Sequence, residues 1–184
     1  LVPRRDQAES FRYRCVTYVI AASGLGLLFG YSDSLEATTC GALLEGLARV
    51  GAVATCCSAE IIQGVAEGRY LIAYNVLGSY VLNANRPEVG MIFPEDYTLL
   101  LSRGYMIPGN AAHPRAAKRL LDFFLTPEAQ GLLEQSGLVS DMDPVETGLA
   151  ISARRNIALS PSLLVARDAS RPQLLFGFWS DTFH

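Results

Sequence analysis

The sequence predicts an α/β fold in which a mixed sheet is flanked by helices, followed by a mainly helical C-terminal portion. Apolar, β-prone runs such as RCVTYVI at residues 14–20 alternate with helical segments, a pattern typical of strands joined by crossover helices. Half of the 184 residues are hydrophobic and 18% are charged, as in ordinary folded domains. We predict an α/β domain over residues 1–103 and the helical portion over residues 104–184.

The predicted α/β domain begins with a strand, a tight turn and a helix. The strand runs into Ala-Ala-Ser-Gly-Leu-Gly at residues 21–26, and the apolar residues that follow favour a helix. A second helix is predicted over residues 39–50, with Gly51 as its stop. Ser58 is well placed to cap a third helix that closes at Gly68. Short strands are predicted at residues 53–54, 70–75, 89–93 and 98–102.

The C-terminal portion is predicted from helical spacing and from its prolines. Pro114 opens a helix whose apolar residues recur at helical spacing. The pair Thr126-Pro127 restarts a second helix, which ends at Gly137. Further helical pieces are predicted near residues 146–153 and 172–183.

Charge and hydropathy argue against two classes of partner. Fifteen Lys and Arg residues against 18 Asp and Glu residues give a net charge of −3, and no basic run exceeds two residues, so nucleic-acid binding is not expected. The most apolar stretches, residues 19–31 and 70–82, fall short of the ~20 residues that span a bilayer. Residues 1–11 contain no apolar core of a secretory signal peptide, so none is expected in this chain.

The four cysteines lack the spacing of a zinc site. There is no CxxC pair, and the two histidines lie far from the cysteines in sequence. Adjacent Cys56 and Cys57 could form a redox pair, but small buried thiols are the commoner state, and we predict that state for them. No metal and no cofactor are predicted.

Signatures of an enzyme are also missing from the sequence. There is no GxSxG elbow and no HExxH motif. The acidic residues Asp141, Asp143 and Glu146 lack the EF-hand pattern, and they are predicted to lie in a solvated loop. An enzyme would need a nucleophile such as Cys57 beside the start of the Ser58 helix. We therefore predict a binding protein that is not an enzyme.

Two predicted helix starts could bind an anion. Ser23, Gly24 and Leu25 lie between a strand and a helix, where free backbone N–H groups and the helix dipole favour negative charge. The Ser23 hydroxyl can cap the helix or donate to a bound oxygen, and both roles use one geometry. Ser58 begins a second helix, and the two starts could converge at the carboxyl ends of parallel strands.

A third group of polar residues follows the predicted strand at residues 70–75. Asn75, Ser79 and Tyr80 carry hydrogen-bonding groups that could contact a polar ligand. In the alternative interpretation, Tyr74 packs in the core and Asn75 only caps a turn.

The segment Ser58–Tyr80, SAEIIQGVAEGRYLIAYNVLGSY, resembles the iron(III)-type extracytoplasmic solute-binding proteins of ABC transporters, a group that includes the phosphoglycerate-transport regulatory branch. Residues 94–98, 107–114 and 125–131 resemble later segments of the same family, in the same order, so the resemblance covers roughly residues 12–140. It implies a type 2 periplasmic-binding fold, in which two lobes close on a ligand that is passed to a membrane permease. It also implies a periplasmic location.

The resemblance also implies roles for individual residues. Ser23, Gly24 and Leu25 match the anion-binding Ser-Gly-X of the family, Ser58 matches the polar residue at the next helix start, and residues 75–80 match the turn on the ligand side. Ferric-binding relatives carry two adjacent tyrosines in that turn, whereas this chain has Ser79 before a single Tyr80. The expected ligand is therefore a small anion, phosphorylated or carboxylated, alone or as an iron complex.

The same comparison implies that residues 1–103 are the second, ligand-binding lobe and that most of the first lobe is missing. The helices of residues 114–137 would then return to the first lobe and leave an apolar face exposed, which predicts either a homodimer through that face or a rearranged C-terminal region. Its members are Leu120, Leu121, Phe124, Leu125, Leu132 and Leu133. The alternative function is a sensor or interaction module that signals to a membrane kinase or permease.

Overall fold

The computed structural model describes residues 8–36, 40–136, 138, 150–157 and 170–183. It divides into two compact units. The first comprises Leu1–Ile92 and Ile157–His184, and the second comprises Phe93–Asn156. The sequence predicts a boundary at residue 103, which differs from this division. Two features explain the difference: the helix at Ser170–Thr182 packs in the first unit, and the strand Thr98–Leu101 pairs with the strand Arg154–Ile157.

The first unit is built on a parallel sheet of three strands in the order β2-β1-β3. Strand β1 (Cys15–Tyr18) pairs with β2 (Val53–Thr55) and with β3 (Ile72–Ala73). Val16 is opposite Val53 on one side and Ala73 on the other, so β1 is the central strand. The predicted α/β class is confirmed.

Both faces of β1 are covered, because its side chains alternate between two apolar clusters. Cys15 belongs to a cluster with Leu44, Leu47 and Trp179. Val16 and Tyr18 belong to a second cluster, with Ile61. Successive residues of a strand point to opposite faces, so a strand buried on both faces requires a continuous apolar run. Residues 15–20 meet this requirement except at Thr17, whose hydroxyl donates to the Tyr74 carbonyl oxygen.

Five helices surround this sheet in the described part of the first unit. They are α1 (Gly24–Glu36), α2 (Cys40–Arg49), α3 (Ser58–Ala66), α4 (Gly78–Ala84) and α7 (Ser170–Thr182). Helix α4 was not predicted, since seven residues are too few for helical periodicity to emerge. None of the helices in the described ranges is long and apolar enough to cross a bilayer.

The last helix packs in the first unit. Trp179 is buried, and its indole Nε1 donates to the carbonyl oxygen of Tyr18 at 3.1 Å. Trp179 and Phe183 join the apolar cluster of α2, which includes Leu44 and Leu47. The indole satisfies a carbonyl at the end of β1 while it buries a large apolar surface. Helix α7 therefore does not share a compact unit with the helices at Pro114–Phe124 and Pro127–Gln135, although residues 104–184 were predicted as one portion.

The second unit contains a two-stranded sheet and two helices. Strands β4 (Thr98–Leu101) and β5 (Arg154–Ile157) pair with each other. Helices α5 (Pro114–Phe124) and α6 (Pro127–Gln135) follow the prolines that predicted them. The Thr126 hydroxyl accepts from the Ala129 amide at 3.3 Å and caps α6.

The two helices of the second unit present apolar side chains to solvent. None of the eleven residues of α5 is buried. Among the six predicted members of the apolar face, Leu120, Leu125 and Leu132 are exposed, whereas Leu121, Phe124 and Leu133 are half-buried. Tyr105 packs edge-on against Phe124 with ring centroids 5.7 Å apart.

Three sequence predictions concern a strand at residues 89–93, a helix at residues 146–153 and an acidic loop at residues 141–146. Residues 89–93 are irregular, so the strand predicted there is wrong. The segment contains Gly90 and precedes Pro94, and both residues disfavour strand pairing. Residues 151–153 form a turn of 3-10 helix. Residues 146–149 of the predicted helix, and the acidic residues Asp141, Asp143 and Glu146, lie outside the described residues, and Ala150 is not helical.

Candidate functional site

Tyr18 ends the central strand, and its side chain lies among the starts of three helices. Its hydroxyl and the Ser58 hydroxyl at the start of α3 are 2.6 Å apart. The backbone amide of Leu77, just before α4, also bonds to the phenol oxygen. The Cβ of Tyr18 lies directly against Gly26 in the first turn of α1. One tyrosine thus fixes the positions of three first turns.

The phenol of Tyr18 is a neutral hydrogen-bonding group in this setting. Tyr18 is only 2% exposed. Burial raises the pKa of Tyr18 above its ordinary value, and the hydrogen bonds from Ser58 and Leu77 oppose this shift. Below pH 10 the group therefore holds its neighbours as an uncharged donor and acceptor.

At the start of α1, the three residues predicted to bind a ligand have different surroundings. The Ser23 hydroxyl accepts from the Gly26 amide at 3.1 Å, so it caps the helix. Gly24 is exposed, and a side chain added there would meet nothing within 4 Å. Leu25 packs against the cluster of Val16, Tyr18 and Ile61. Of these three residues, Gly24 is the one that offers open backbone.

The start of α3 differs from the sequence prediction, because Ser58 is not its N-cap. The cap position is held by Cys57, which makes no side-chain cap hydrogen bond. Ser58 is the first helical residue, and its hydroxyl is directed to Tyr18 instead. The prediction of a Ser58 cap is therefore wrong, since the buried phenol is the better partner.

A cleft of about 590 Å³ opens between α3 and α4. It is lined by Cys57, Ser58, Ala59, Ile62, Gln63, Tyr80, Asn83, Ala84 and Arg86. The structure therefore brings together two of the predicted binding residues, Ser58 and Tyr80, at one cleft. Ser79 lies half-buried in the first turn of α4, and Ser23, Gly24 and Leu25 are not among the lining residues.

Arg86 gives the cleft a positive charge at its rim. Its guanidinium donates to the Gln63 side-chain oxygen at 2.8 Å, which holds it beside α3. Glu67, at the far end of α3, is bonded to Gln63 and Arg69, and these bonds lower the pKa of its carboxyl. None of the lining residues is acidic. In the described residues, the cleft wall thus presents donors and a cation without a carboxylate.

Asn75 lies apart from these groups. It has a left-handed backbone with φ of 62°, a conformation that Asn tolerates well. Its side-chain amide and the Tyr74 hydroxyl both donate to the buried carboxylate of Asp33 in α1. These contacts give Asn75 a structural role in tying β3 to α1, close to the alternative interpretation of the sequence.

The cysteines fall into two pairs with opposite environments. Cys15 and Cys40 are buried and free, and burial together with nearby Asp33 raises the pKa of Cys40 to about 11. Cys56 and Cys57 are exposed and joined as a disulfide. The prediction of small buried thiols at this pair is wrong, because the turn between β2 and α3 lies on the surface.

Three residues of this region were missed by sequence reasoning. Tyr18 was assigned only to a strand, and Gln63 and Arg86 were not considered as ligand contacts. Tyr18 is the last residue of β1 and so lies at the sheet edge where ligands bind in open α/β sheets, although the predicted strand extends to residue 20. A tyrosine hydroxyl near the end of a predicted strand is the signal that could have found it. No such signal exists for Gln63 and Arg86, since their meeting depends on how α3 and α4 pack.

Comparisons with known proteins agree with the fold. No protein-family model and no curated protein matches the chain. Among solved structures, the chain is similar to the substrate-binding protein of an ABC transporter from Agrobacterium tumefaciens, with a TM-score of 0.77 and 26% identity. The match covers 97% of this chain and 56% of that protein. The chain thus spans little more than half of its relative, and it has the α/β fold of an ABC-transporter solute-binding protein.

Proposed function

We propose that the chain is the solute-binding component of an ABC transport system and that it binds a small anion at the start of α3. The likeness to an ABC-transporter substrate-binding protein supports the transport role. A membrane permease is then the expected partner, and an extracytoplasmic location follows from that role. The specific iron(III) or phosphoglycerate branch stays a prediction from the sequence resemblance.

The observation that carries the anion proposal is the position of Arg86. Its guanidinium lines the same cleft as Ser58 and Ala59, in the first turn of α3. No side chain caps that turn, so its amide groups can donate to a ligand oxygen. A guanidinium and a helix start facing one cleft favour a phosphate or carboxylate group.

The chemistry of the lining residues favours an oxyanion over bare iron. Ser58, Gln63 and Asn83 offer neutral donors, and Tyr80 supplies the only phenol among the lining residues. Hard cations are bound mainly by oxygen ligands that carry negative charge. With no carboxylate in the described lining, Fe³⁺ would reach this cleft already complexed by an anion.

Calorimetric titration with inorganic phosphate, 3-phosphoglycerate, citrate and ferric citrate tests the proposal. We expect at least one of these anions to bind, and Arg86→Gln to lower its affinity about tenfold, as for loss of one charge-assisted hydrogen bond. Arg12→Gln is the matched control, because Arg12 is exposed and its partner is Glu9, outside the cleft. Absence of heat with all four anions, or equal losses in both variants, would contradict the site.

We also propose self-association through the exposed face of α5 and α6, whose exposed members include Leu120, Leu125 and Leu132. Exposed apolar side chains on neighbouring helices favour contact with another apolar surface. Light scattering should give a dimer mass for this chain, and Leu125→Glu together with Leu132→Glu should restore the monomer. A monomer in the unchanged chain would contradict self-association and would leave the anion site untouched.

A further inference from the structure

We propose that Cys56, Cys57 and Glu60 form a binding site for a thiophilic divalent cation of the Zn²⁺ type when the Cys56–Cys57 disulfide is reduced. The site does not depend on the proposed transport function. Sequence spacing predicted no metal here, because the third ligand comes from the helix that follows the cysteines. The folded turn brings the three side chains together.

The geometry supplies three ligand atoms in a small volume. The two sulfur atoms and a Glu60 carboxylate oxygen all lie within 4.8 Å of one another. The Cys56 sulfur is 3.4 Å from Glu60 Oε2. Two thiolates on a tetrahedral ion lie about 3.8 Å apart, given metal–sulfur bonds of ~2.3 Å. Reduction breaks the bond between the two sulfurs and frees them to separate to that distance, and all three residues are exposed.

The surroundings orient the carboxylate and favour thiolates. The Thr55 hydroxyl donates to Glu60 Oε2, and metal-binding carboxylates are commonly held by such a bond. Cys57 is the N-cap residue of α3, and no side chain competes for the helix start. The partial positive charge at a helix N-terminus stabilises thiolate anions.

The other two cysteines offer a natural contrast within the chain. Cys15 and Cys40 are buried, and burial raises the pKa of both thiols. Buried thiols with a raised pKa are poor metal ligands at neutral pH, because the thiolate is the ligating form. A metal that binds to reduced protein should therefore bind at Cys56 and Cys57.

The redox step controls whether the site exists. Dithiothreitol transfers two electrons and two protons to the disulfide and closes to its own cyclic disulfide, leaving two thiols at Cys56 and Cys57. Metal binding then displaces the two thiol protons into solvent. With Glu60 as the third ligand, a fourth position stays open, as in zinc sites that bind a water or an external ligand. Cys57 also lines the cleft, so the proposed metal site adjoins the cleft.

Cadmium titration of the full chain tests the site, because Cd²⁺ bonded to thiolate gives a charge-transfer absorption that Zn²⁺ lacks. The chain is reduced with dithiothreitol, desalted without oxygen, and titrated with CdCl₂. We expect one Cd²⁺ per chain in the reduced protein and no band in the oxidised protein. Failure of the reduced chain to develop the band would overturn the proposal, whatever the anion titrations show.

Three variants locate the ligands, with far-ultraviolet circular dichroism as the check on folding. The double variant Cys56→Ser, Cys57→Ser should lose the band completely. Glu60→Gln should weaken Cd²⁺ binding about tenfold or more, whereas Glu67→Gln, at the opposite end of α3, should bind as the unchanged chain does. A band that persists in the double variant would assign the metal to Cys15 and Cys40 and would overturn the site. Equal Cd²⁺ affinity in Glu60→Gln and Glu67→Gln would show that Glu60 is not a metal ligand.

Discussion

Helices α1 and α3 both follow a strand of the parallel sheet and both have a serine at their start, but the two hydroxyls have different hydrogen-bond partners. Ser23 caps α1 by accepting from the Gly26 amide. Ser58 leaves the start of α3 without a side-chain cap and bonds to Tyr18. At both helix starts, the serine hydroxyl is directed to the strongest hydrogen-bond partner within reach. The α1 start is therefore a stabilising element, whereas the α3 start is the one that we propose donates amides to a ligand.

The largest expected effect comes from the closest contact of α1 with the strand. A Cβ at Gly26 would overlap the Cβ of Tyr18, so Gly26→Ala should destabilise the fold by about 1–3 kcal/mol. Gly24→Ala is the matched control, since a Cβ there meets nothing within 4 Å. Urea unfolding followed by circular dichroism should show a lower midpoint for Gly26→Ala only. Equal urea midpoints in Gly26→Ala and Gly24→Ala would mean that the close contact between Gly26 and Tyr18 does not limit the packing of α1.

Removal of the α1 cap should have the next largest effect. Ser23→Ala leaves the Gly26 amide without its acceptor, which should cost about 1 kcal/mol of unfolding free energy. Ser34→Ala, an exposed position in the last turns of the same helix, should change the midpoint much less. Anion affinity in Ser23→Ala should stay unchanged, since Ser23 is not among the cleft-lining residues. A loss of affinity without loss of stability would reverse the roles assigned to the two serines.

Tyr18→Phe removes the hydroxyl that joins the starts of α3 and α4. We expect a loss of about 1 kcal/mol, the usual net value of a buried hydrogen bond. Tyr13→Phe is the control, because Tyr13 is 61% exposed. Thermal unfolding of the two variants measures the difference. An unchanged melting temperature in Tyr18→Phe would show that the phenol hydroxyl does not stabilise the starts of α3 and α4.

The same substitution should change the response to alkaline pH. Burial raises the pKa of Tyr18, so the stability that this group contributes is complete below its unfolded pKa of about 10 and is lost as pH rises through the folded value. Between pH 9 and pH 11, the urea midpoint of the unchanged chain should fall more steeply than that of Tyr18→Phe. Parallel slopes would contradict a raised pKa at this position.

Ser58→Ala should have the smallest effect on stability, below about 1 kcal/mol, because a half-exposed site lets water replace the lost hydroxyl. Its effect on anion affinity should exceed that of Ser23→Ala in the calorimetric titrations. This pair of variants tests the comparison most directly. If both substitutions changed only the stability, the proposal that the start of α3 binds a ligand would be contradicted.

Much of the fold could be predicted from sequence because it is encoded locally. The run at residues 14–20 alternates between two apolar clusters, and the prolines at 114 and 127 open the helices that they predicted. The role of Ser58 could not be predicted, since it depends on a phenol 40 residues away in sequence. The position of α7 depends on a bond between Trp179 and Tyr18, 161 residues apart. Contacts at such separations leave no local pattern.

The candidate site could likewise be predicted only in part from the sequence. Ser58 and Tyr80 were expected at a ligand site and lie at one cleft, whereas Asn75 bonds to Asp33. A polar residue after a strand can serve either purpose, and only the packing of α1 against β3 decides between them. The exposure of the Cys56–Cys57 disulfide could not be predicted, because adjacency in sequence carries no information on exposure.

The bond from Trp179 to the Tyr18 carbonyl has an optical consequence. The chain contains a single tryptophan, and its indole is buried against the residue whose phenol holds the starts of α3 and α4. Its intrinsic emission therefore reports on the end of β1 without interference from any other indole. A shift of that emission during titration with phosphate, or on reduction of the disulfide, would be read directly as movement at the strand end, so the protein carries its own fluorescent reporter.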